Sequence, residues 1–169
     1  AGRDHGLALA AGGSVWSWGR GGWGQLGHGD EQNQLLPKKV EAFVGPRVVA
    51  VLAGGCHSLA ITADGAVWSW GFGDYGRLGH GDQQSLALPE KREAVAGQRV
   101  VAVSAGGGYS FAITADGAVW SWGCGGFGRL GHGDEQNQLL PAKVGAFAGQ
   151  RGVAVSVGGV RSIGLTVVG

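Results

Sequence analysis

A period of 52 residues, repeated without insertion, constrains this chain more than any other feature of its sequence. The segment WSWG begins at Trp16, Trp68 and Trp120, and the segment LGHGD begins at Leu26, Leu78 and Leu130. Units of this size cannot bury their apolar faces alone, so neighbouring units must stack. The sequence therefore predicts a single array over residues 1–169, with repeats at 1–52, 53–104 and 105–156 and a partial fourth repeat at 157–169.

Each repeat carries the pattern of short β-strands. In and just before the second repeat, apolar or β-branched runs cover residues 47–52, 57–62 and 66–71, and a fourth short strand is expected around Pro89. Asp64-Gly65 separates two of these runs and is expected to supply the positive-φ positions of a tight antiparallel hairpin. No run has a helical period long enough to connect parallel strands. The predicted fold class is all-β, built from four-stranded antiparallel units.

The WSWG strand predicts how the units hold together. Trp68 and Trp70 are two residues apart in a strand, so their side chains point to the same face. Burying one Trp removes about 150–250 Å² from water. We therefore expect the tryptophans of the three WSWG segments to pack between units rather than to stack on a ligand.

Composition and charge exclude several classes of function. The formal net charge is +1, so no net field is expected to gather nucleic acid. No apolar run approaches the length of a membrane span, and no membrane partner is expected. Cys56 and Cys124 stand far apart without a CxxC pair, which predicts neither a zinc site nor a disulfide framework. This use of cysteine fits a reducing compartment, so a cytoplasmic or nuclear location is predicted.

The glycines after each WSW resemble a dinucleotide-binding motif. In the second repeat Gly71, Gly73 and Gly76 read GxGxxG. That motif holds a pyrophosphate only when it opens a helix after a parallel strand, and here LGHGD follows. We interpret these glycines as turn residues, and we predict no cofactor.

A His and an Asp recur in every LGHGD segment. They are His28 with Asp30, His80 with Asp82, and His132 with Asp134. One His and one Asp per unit make a poor metal site, and the Asp is expected to accept backbone N–H groups in a glycine loop. No local signature of a catalytic nucleophile with its base is present. We therefore predict no catalytic residue and no metal, and expect that the protein is not an enzyme.

One repeat position varies in size and charge among otherwise similar copies. It is occupied by His5, His57, Tyr109 and Arg161, and Asp4 and Cys56 precede the first two of these. A residue with a purely structural role is expected to stay constant within the array. These six residues are therefore the candidate partner-binding surface.

Residues 54–82 contain, in order, a glycine pair, HSLAIT, an Asp-Gly hairpin, VWSWG and LGHGD. This order resembles the repeat of the regulator of chromosome condensation family, and the resemblance extends across the whole chain. It implies a seven-bladed propeller, of which this chain supplies three blades of four antiparallel strands plus one extra strand. Propellers close with about four to eight blades, so the chain is expected not to close alone. It is then an excerpt of a longer protein or a subunit that self-associates to complete the wheel.

The resemblance implies several activities, because the family includes the exchange factor of the Ran GTPase, plant ultraviolet-B photoreceptors and repeat domains of HECT-type ubiquitin ligases. The exchange factor carries an inserted wedge that reaches its GTPase, and the constant 52-residue step leaves no room for one. The photoreceptor's GWRHT pattern is also missing. Its tryptophan aligns with Gly55, Gly107 and Gly159, and its arginine with Cys56, Gly108 and Val160.

The preferred hypothesis is a protein-interaction scaffold, as part of a larger multidomain protein such as a HECT-type ubiquitin ligase, with a ubiquitination substrate as its partner. The alternative is a guanine-nucleotide exchange factor for a Ran-type small GTPase. A third hypothesis is a recent duplication without a role of its own, since residues 30–37 and 134–141 both read DEQNQLLP. Accelerated nucleotide release from the GTPase discriminates the first two.

Overall fold

The computed structural model describes residues 1–92, 95 and 97–159, together with the backbone of 162–167. Its strands form antiparallel sheets in chain order, which confirms the all-β class and the partial propeller. Blade one contains β1 (His5–Leu9), β2 (Val15–Gly19) and β3 (Gln34–Lys39). Blade two contains β4 (Val48–Ala53), β5 (His57–Thr62), β6 (Val67–Gly71) and β7 (Leu86–Arg92). Blade three contains β8 (Val100–Ala105), β9 (Tyr109–Thr114), β10 (Val119–Gly123) and β11 (Gln138–Lys143). The C-terminal sheet contains β12 (Arg151–Val157) and β13 (Ser162–Val167).

The distribution of strands differs from the prediction of three complete blades and one extra strand. Among the described residues, blade one has three strands and the C-terminal sheet has two. The reason is the pairing of β4, which lies mostly within the first sequence repeat but pairs with β5 of blade two. The expected strand around Pro89 is β7. Single 3₁₀ turns lie at Glu41–Phe43 and Gly145–Phe147, and tight turns with a left-handed central residue lie at Asp74–Gly76 and Gly126–Gly128.

The hairpin at Asp64-Gly65 forms where the sequence predicts it, but with a different turn. Gly65 has a φ of +83°, whereas Asp64 is not in the left-handed region. The N–H of Gly65 donates to the carbonyl oxygen of Thr62 at 2.8 Å, and the Asp64 carboxylate accepts from the N–H of Ala66 at 3.2 Å. The prediction of positive φ at both residues is wrong, because the loop is a longer type with a left-handed glycine only at its end.

Both tryptophans of a WSWG strand lie on one face, as predicted. The ring of Phe43 in blade one lies 5.4 Å from that of Trp68 and 5.8 Å from that of Trp70, centroid to centroid. Trp70 is fully buried against blade one, and Trp122 is fully buried against blade two. The apolar core therefore lies between blades. The cluster between blades one and two contains Val15, Val40, Phe43, Val48, Ala60 and Trp70.

Blade one presents the same face without a neighbour among the described residues. Trp16 on this face is exposed and Trp18 is half-buried, whereas Trp70 and Trp122 are closed off from solvent. The burial of the second Trp in a WSWG segment therefore depends on the blade that precedes it.

Candidate functional site

One end of the strands carries the longest loops of each blade. The register pairs His5 with Gly19 and His57 with Gly71, so the start of one strand adjoins the end of the next. Just beyond these ends, further backbone hydrogen bonds continue the pairing of the two segments. For example, the N–H of Arg20 donates to the carbonyl oxygen of Asp4 at 2.8 Å. We call this end, formed by residues 1–4, 19–33 and their equivalents in the other blades, the loop face.

The variable position predicted to bind a partner lies inside the molecule, where it joins adjacent blades. His5 and His57 each place Nε2 2.9 Å from a serine hydroxyl of the next blade, Ser58 and Ser110 respectively. In blade three the hydroxyl of Tyr109 donates to the carbonyl oxygen of Gly158 at 3.1 Å. Each contact therefore links one unit of the array to the next.

Each serine also donates back to the preceding blade. The Ser110 hydroxyl donates to the carbonyl oxygen of Arg77 at 3.0 Å, and the indole N–H of Trp122 donates to the same oxygen at 2.9 Å. Because a serine hydroxyl has a single hydrogen, His57 Nε2 must carry the proton and donate to Ser110. Ser58 and Trp70 repeat this arrangement on the carbonyl oxygen of Gln25. We call this set of bonds the interblade latch.

The buried histidines of the latch are held neutral. Burial lowers the pKa of His57 to about 3, with the nearby Arg77 adding to the effect. Burial lowers the pKa of His5 to about 4, and the N-terminal amino group adds to the effect. Nδ1 of each ring is buried without a hydrogen-bond partner among the described residues. A proton on either ring would therefore place an unsolvated charge between two blades.

This burial does not agree with the interpretation of the variable position as an exposed surface. His5, His57 and Tyr109 are all buried, so the variation among them reflects two ways of bonding to the next blade. Arg161 lies outside the described residues. Asp4 is exposed and Cys56 is partly exposed on the loop face, and their contact with a partner stays a prediction.

The GxGxxG glycines are turn residues, as the sequence analysis proposed. Gly71 and Gly76 have φ values of +102° and +75°, a region that favours glycine. A Cβ on Gly73 would collide with the carbonyl oxygen of Gln84 across the loop. Gly73 and Gly76 bound a four-residue turn with Tyr75 in the left-handed region, which cannot present a helix N-terminus to a pyrophosphate.

Replacement of Gly73 by Ala is expected to lower the free energy of unfolding by about 1–3 kcal/mol, because the loop must move to accept the methyl group. Gly12→Ala is the matched control, since a Cβ on Gly12 would meet no atom within 4 Å. Chemical denaturation of both variants checks the difference. Equal stabilities for the two variants would contradict the close approach of the loop.

The LGHGD histidines are held by the serine of the WSWG strand. Ser69 donates to the carbonyl oxygen of Leu78 at 2.9 Å and lies 2.8 Å from Nε2 of His80. In blade two the carboxylate of Glu90 lies 3.4 Å from Nδ1 of His80, which gives a serine–histidine–carboxylate sequence. The Ser69 side chain is fully buried and its proton is already donated, so it is not placed to attack a substrate.

The LGHGD aspartates stabilise turns, as expected. Asp30, Asp82 and Asp134 each accept from the backbone N–H two residues on, at 3.0, 3.0 and 2.9 Å. In the described part of the chain, no three His, Cys, Asp or Glu residues group closely enough to hold a metal ion. No helix of the described residues is long and apolar enough to cross a membrane.

Sequence reasoning missed a group of aromatic side chains on the loop face. Trp23, Tyr75 and Phe127 occupy one repeat position and are 39, 45 and 84% exposed. Phe72 lies beside Trp23, with the two ring centroids 4.3 Å apart, and shares the guanidinium of Arg77 with Tyr75. We call these four residues the aromatic ridge. The signal in the sequence was an aromatic residue of changing identity within each GxxG turn.

The backbone is strained at two of the four residues of the aromatic ridge. Tyr75 and Phe127 have φ values of +63° and +62°, in the left-handed region, at the third position of a four-residue turn. That position favours Gly or Asn, and a bulky residue there costs on the order of 1–3 kcal/mol. Arg77 lies under the ridge, with its guanidinium carbon 4.7 Å from the ring centroid of Phe72 and 5.7 Å from that of Tyr75. The ridge is therefore supported from below by a cation.

Comparison with known proteins gives consistent results for family and fold. Residues 12–61, 64–113 and 116–163 match the family model described as "Regulator of chromosome condensation (RCC1) repeat". The chain is 40% identical to human E3 ubiquitin-protein ligase HERC2 over 96% of its own length and 3% of that protein's length. It is 41% identical to the ultraviolet-B receptor UVR8 of Arabidopsis thaliana over 98% of its own length and 38% of that protein's length.

Among solved structures, the chain is similar to Prp20p from Saccharomyces cerevisiae, which was studied for its binding to Gsp1p and histones. The TM-score is 0.89 at 26% sequence identity, over 99% of this chain and 42% of that one. The chain thus spans less than half the length of each of these proteins.

Proposed function

Because this chain belongs to the regulator of chromosome condensation (RCC1) repeat family, we propose that it is a protein-interaction module and not an enzyme. The observation that carries the proposal is the aromatic ridge, which is exposed on a scaffold whose blades are interlocked by buried bonds. Loops that are held by a rigid framework are the usual place for binding residues. The framework positions the ridge, and the ridge supplies apolar contact area to a partner.

The finer role that we propose is recognition of a protein by a larger multidomain protein of the HECT-ligase type. The identity to human HERC2 supports this, although the chain spans 3% of that protein. The two free cysteines support a location in the cytoplasm or nucleus.

The test captures proteins on the immobilised 169-residue chain, identifies them, and then measures binding of each one as a purified protein. Saturable binding of a purified protein at defined stoichiometry supports the proposal. If no captured protein binds again in purified form, the proposal is wrong.

The alternative is nucleotide exchange on a Ran-type GTPase, favoured by the fold similarity to Prp20p, which was studied with Gsp1p. We expect the chain to leave the rate of GDP release from such a GTPase unchanged. The loops at residues 20–33, 72–85 and 124–137 have equal lengths, so no blade carries an inserted element there. Release of a fluorescent GDP analogue measures this, with Prp20p as the positive control. Acceleration by the chain would favour the alternative.

A further inference from the structure

The fold does not account for the aromatic ridge. Tyr75 is 45% exposed and occupies a backbone conformation that suits Gly or Asn better, so its ring stabilises the folded chain little. The same conformation recurs at Phe127, and the equivalent residue in blade one is Trp23. A strained backbone that carries an exposed aromatic side chain is typical of a binding surface.

The charges beside the ridge favour a negatively charged partner. In blade one the carboxylate of Asp4 lies 3.6 Å from the guanidinium of Arg20 and 3.9 Å from that of Arg3, so one acid faces two cations. The side chains of Arg20 and Arg3 are 54 and 79% exposed. This cluster of three side chains, Arg3, Asp4 and Arg20, therefore carries one positive charge in excess.

The buried cation beneath the ridge also favours a negatively charged partner. Arg77 is buried and donates to the carbonyl oxygens of Asp74 at 2.9 Å and Gly107 at 3.2 Å, and it forms no ion pair within the described part of the chain. Its guanidinium covers one side of the Phe72 and Tyr75 rings. A second cation on the outer side of these rings would be repelled by the first.

We propose that the aromatic ridge, together with Arg20 and Arg3, is the docking surface for an acidic segment of a partner protein. Apolar side chains of the segment pack on Trp23, Phe72 and Tyr75, and its carboxylates lie at the two exposed arginines. This rests on the proposed function as an interaction module and specifies the chemistry of its partner. Nucleic acid shares the negative charge but lacks the apolar side chains that the ridge would cover.

The test measures fluorescence anisotropy of a labelled synthetic peptide in which Asp residues flank a pair of Leu residues. A second peptide carries Asn in place of every Asp, and labelled oligothymidylate is the third probe. Tyr75→Asn removes the ring while suiting the left-handed backbone, and Arg20→Gln removes one charge. Val44→Ala and Arg47→Gln are matched controls, because both residues are exposed at the opposite end of the strands.

We expect the Asp peptide to bind more tightly than the Asn peptide and oligothymidylate. Tyr75→Asn and Arg20→Gln should each weaken its binding by about tenfold, and the two controls should not. The thermal midpoint of Tyr75→Asn should be no lower than that of the unchanged chain, which separates loss of binding from loss of the fold.

Equal binding of the two peptides, tighter binding of oligothymidylate, or unchanged binding by the Tyr75→Asn and Arg20→Gln variants would overturn the proposal. Absence of binding of the Asp peptide to the unchanged chain would do so too. If purified proteins still bind the chain in that case, the interaction function stands and only the assignment of the acidic segment fails.

Discussion

Replacing Trp122 by Ala is expected to lower the free energy of unfolding by about 3–5 kcal/mol, the usual cost of truncating a buried aromatic side chain. Trp122 is 1% exposed and packs in the cluster between blades two and three. Its indole N–H also donates to the carbonyl oxygen of Arg77 at 2.9 Å. The variant therefore leaves a cavity between blades and removes one bond of the interblade latch. Urea denaturation followed by far-ultraviolet circular dichroism measures the loss.

Trp18 provides the matched control, because it occupies the same WSWG position in blade one. It is half-buried, and no described residue packs against its face as a preceding blade. We expect Trp18→Ala to cost about 1 kcal/mol, as the side chain loses less contact. Equal losses for the two variants would mean that these tryptophans act within their own blade rather than between blades.

Stability is expected to fall as the pH is lowered below about 6.5, with the buried histidines as the main cause. In the unfolded chain both residues have the ordinary pKa of 6.5, whereas in the folded chain the pKa is about 4 for His5 and about 3 for His57. Between these values the unfolded state binds protons that the folded state excludes. Above pH 6.5 these two histidines therefore leave the free energy of unfolding unchanged. Below it, each lowers the free energy of unfolding by about 1.4 kcal/mol per pH unit, until the pH reaches its folded-state pKa.

His57→Tyr tests this assignment without removing the contact between blades. Blade three carries Tyr109 at the equivalent position, where its hydroxyl donates to the carbonyl oxygen of Gly158. We expect the variant to fold at pH 7.5 and to lose about a third to a half of the slope of stability against pH between pH 6 and pH 4.5. The rest of the slope stays with His5 and with His28 and His80, whose pKa burial also lowers. Denaturation curves at a series of pH values measure this slope. An unchanged slope would show that other groups cause the acid sensitivity.

Much of the fold could be predicted from the amino-acid sequence, because the signals that specify it are local. The period of WSWG and LGHGD, the Asp-Gly turns and the glycine pairs each depend on a few neighbouring residues, and they specified antiparallel blades. The assignment of β4 to blade two needed the pairing of β4 with β5, which no local pattern specifies. For this reason the all-β class was predicted correctly, whereas the number of strands in the first and last sheets was not.

The candidate site was predicted less well, because exposure is a property of the packed blades. Variation at His5, His57 and Tyr109 indicated a surface, yet each residue packs against a single glycine and bonds to the next blade. The exposed position lies 18 residues further along the chain, beyond the WSWG strand, at Trp23, Tyr75 and Phe127. An aromatic residue in a short glycine turn could be buried or exposed, and the sequence alone does not distinguish these cases.

The sequence by itself determined the all-β class, the stacking of like units and the structural role of the GxGxxG and LGHGD residues. These follow from side-chain period, turn geometry and the need of each unit to cover its faces. Only the tertiary structure decided which side chains face solvent. Contact between blades closes Trp70 and His57 off from water and leaves Tyr75 outside, because burial depends on residues that are far apart in the chain.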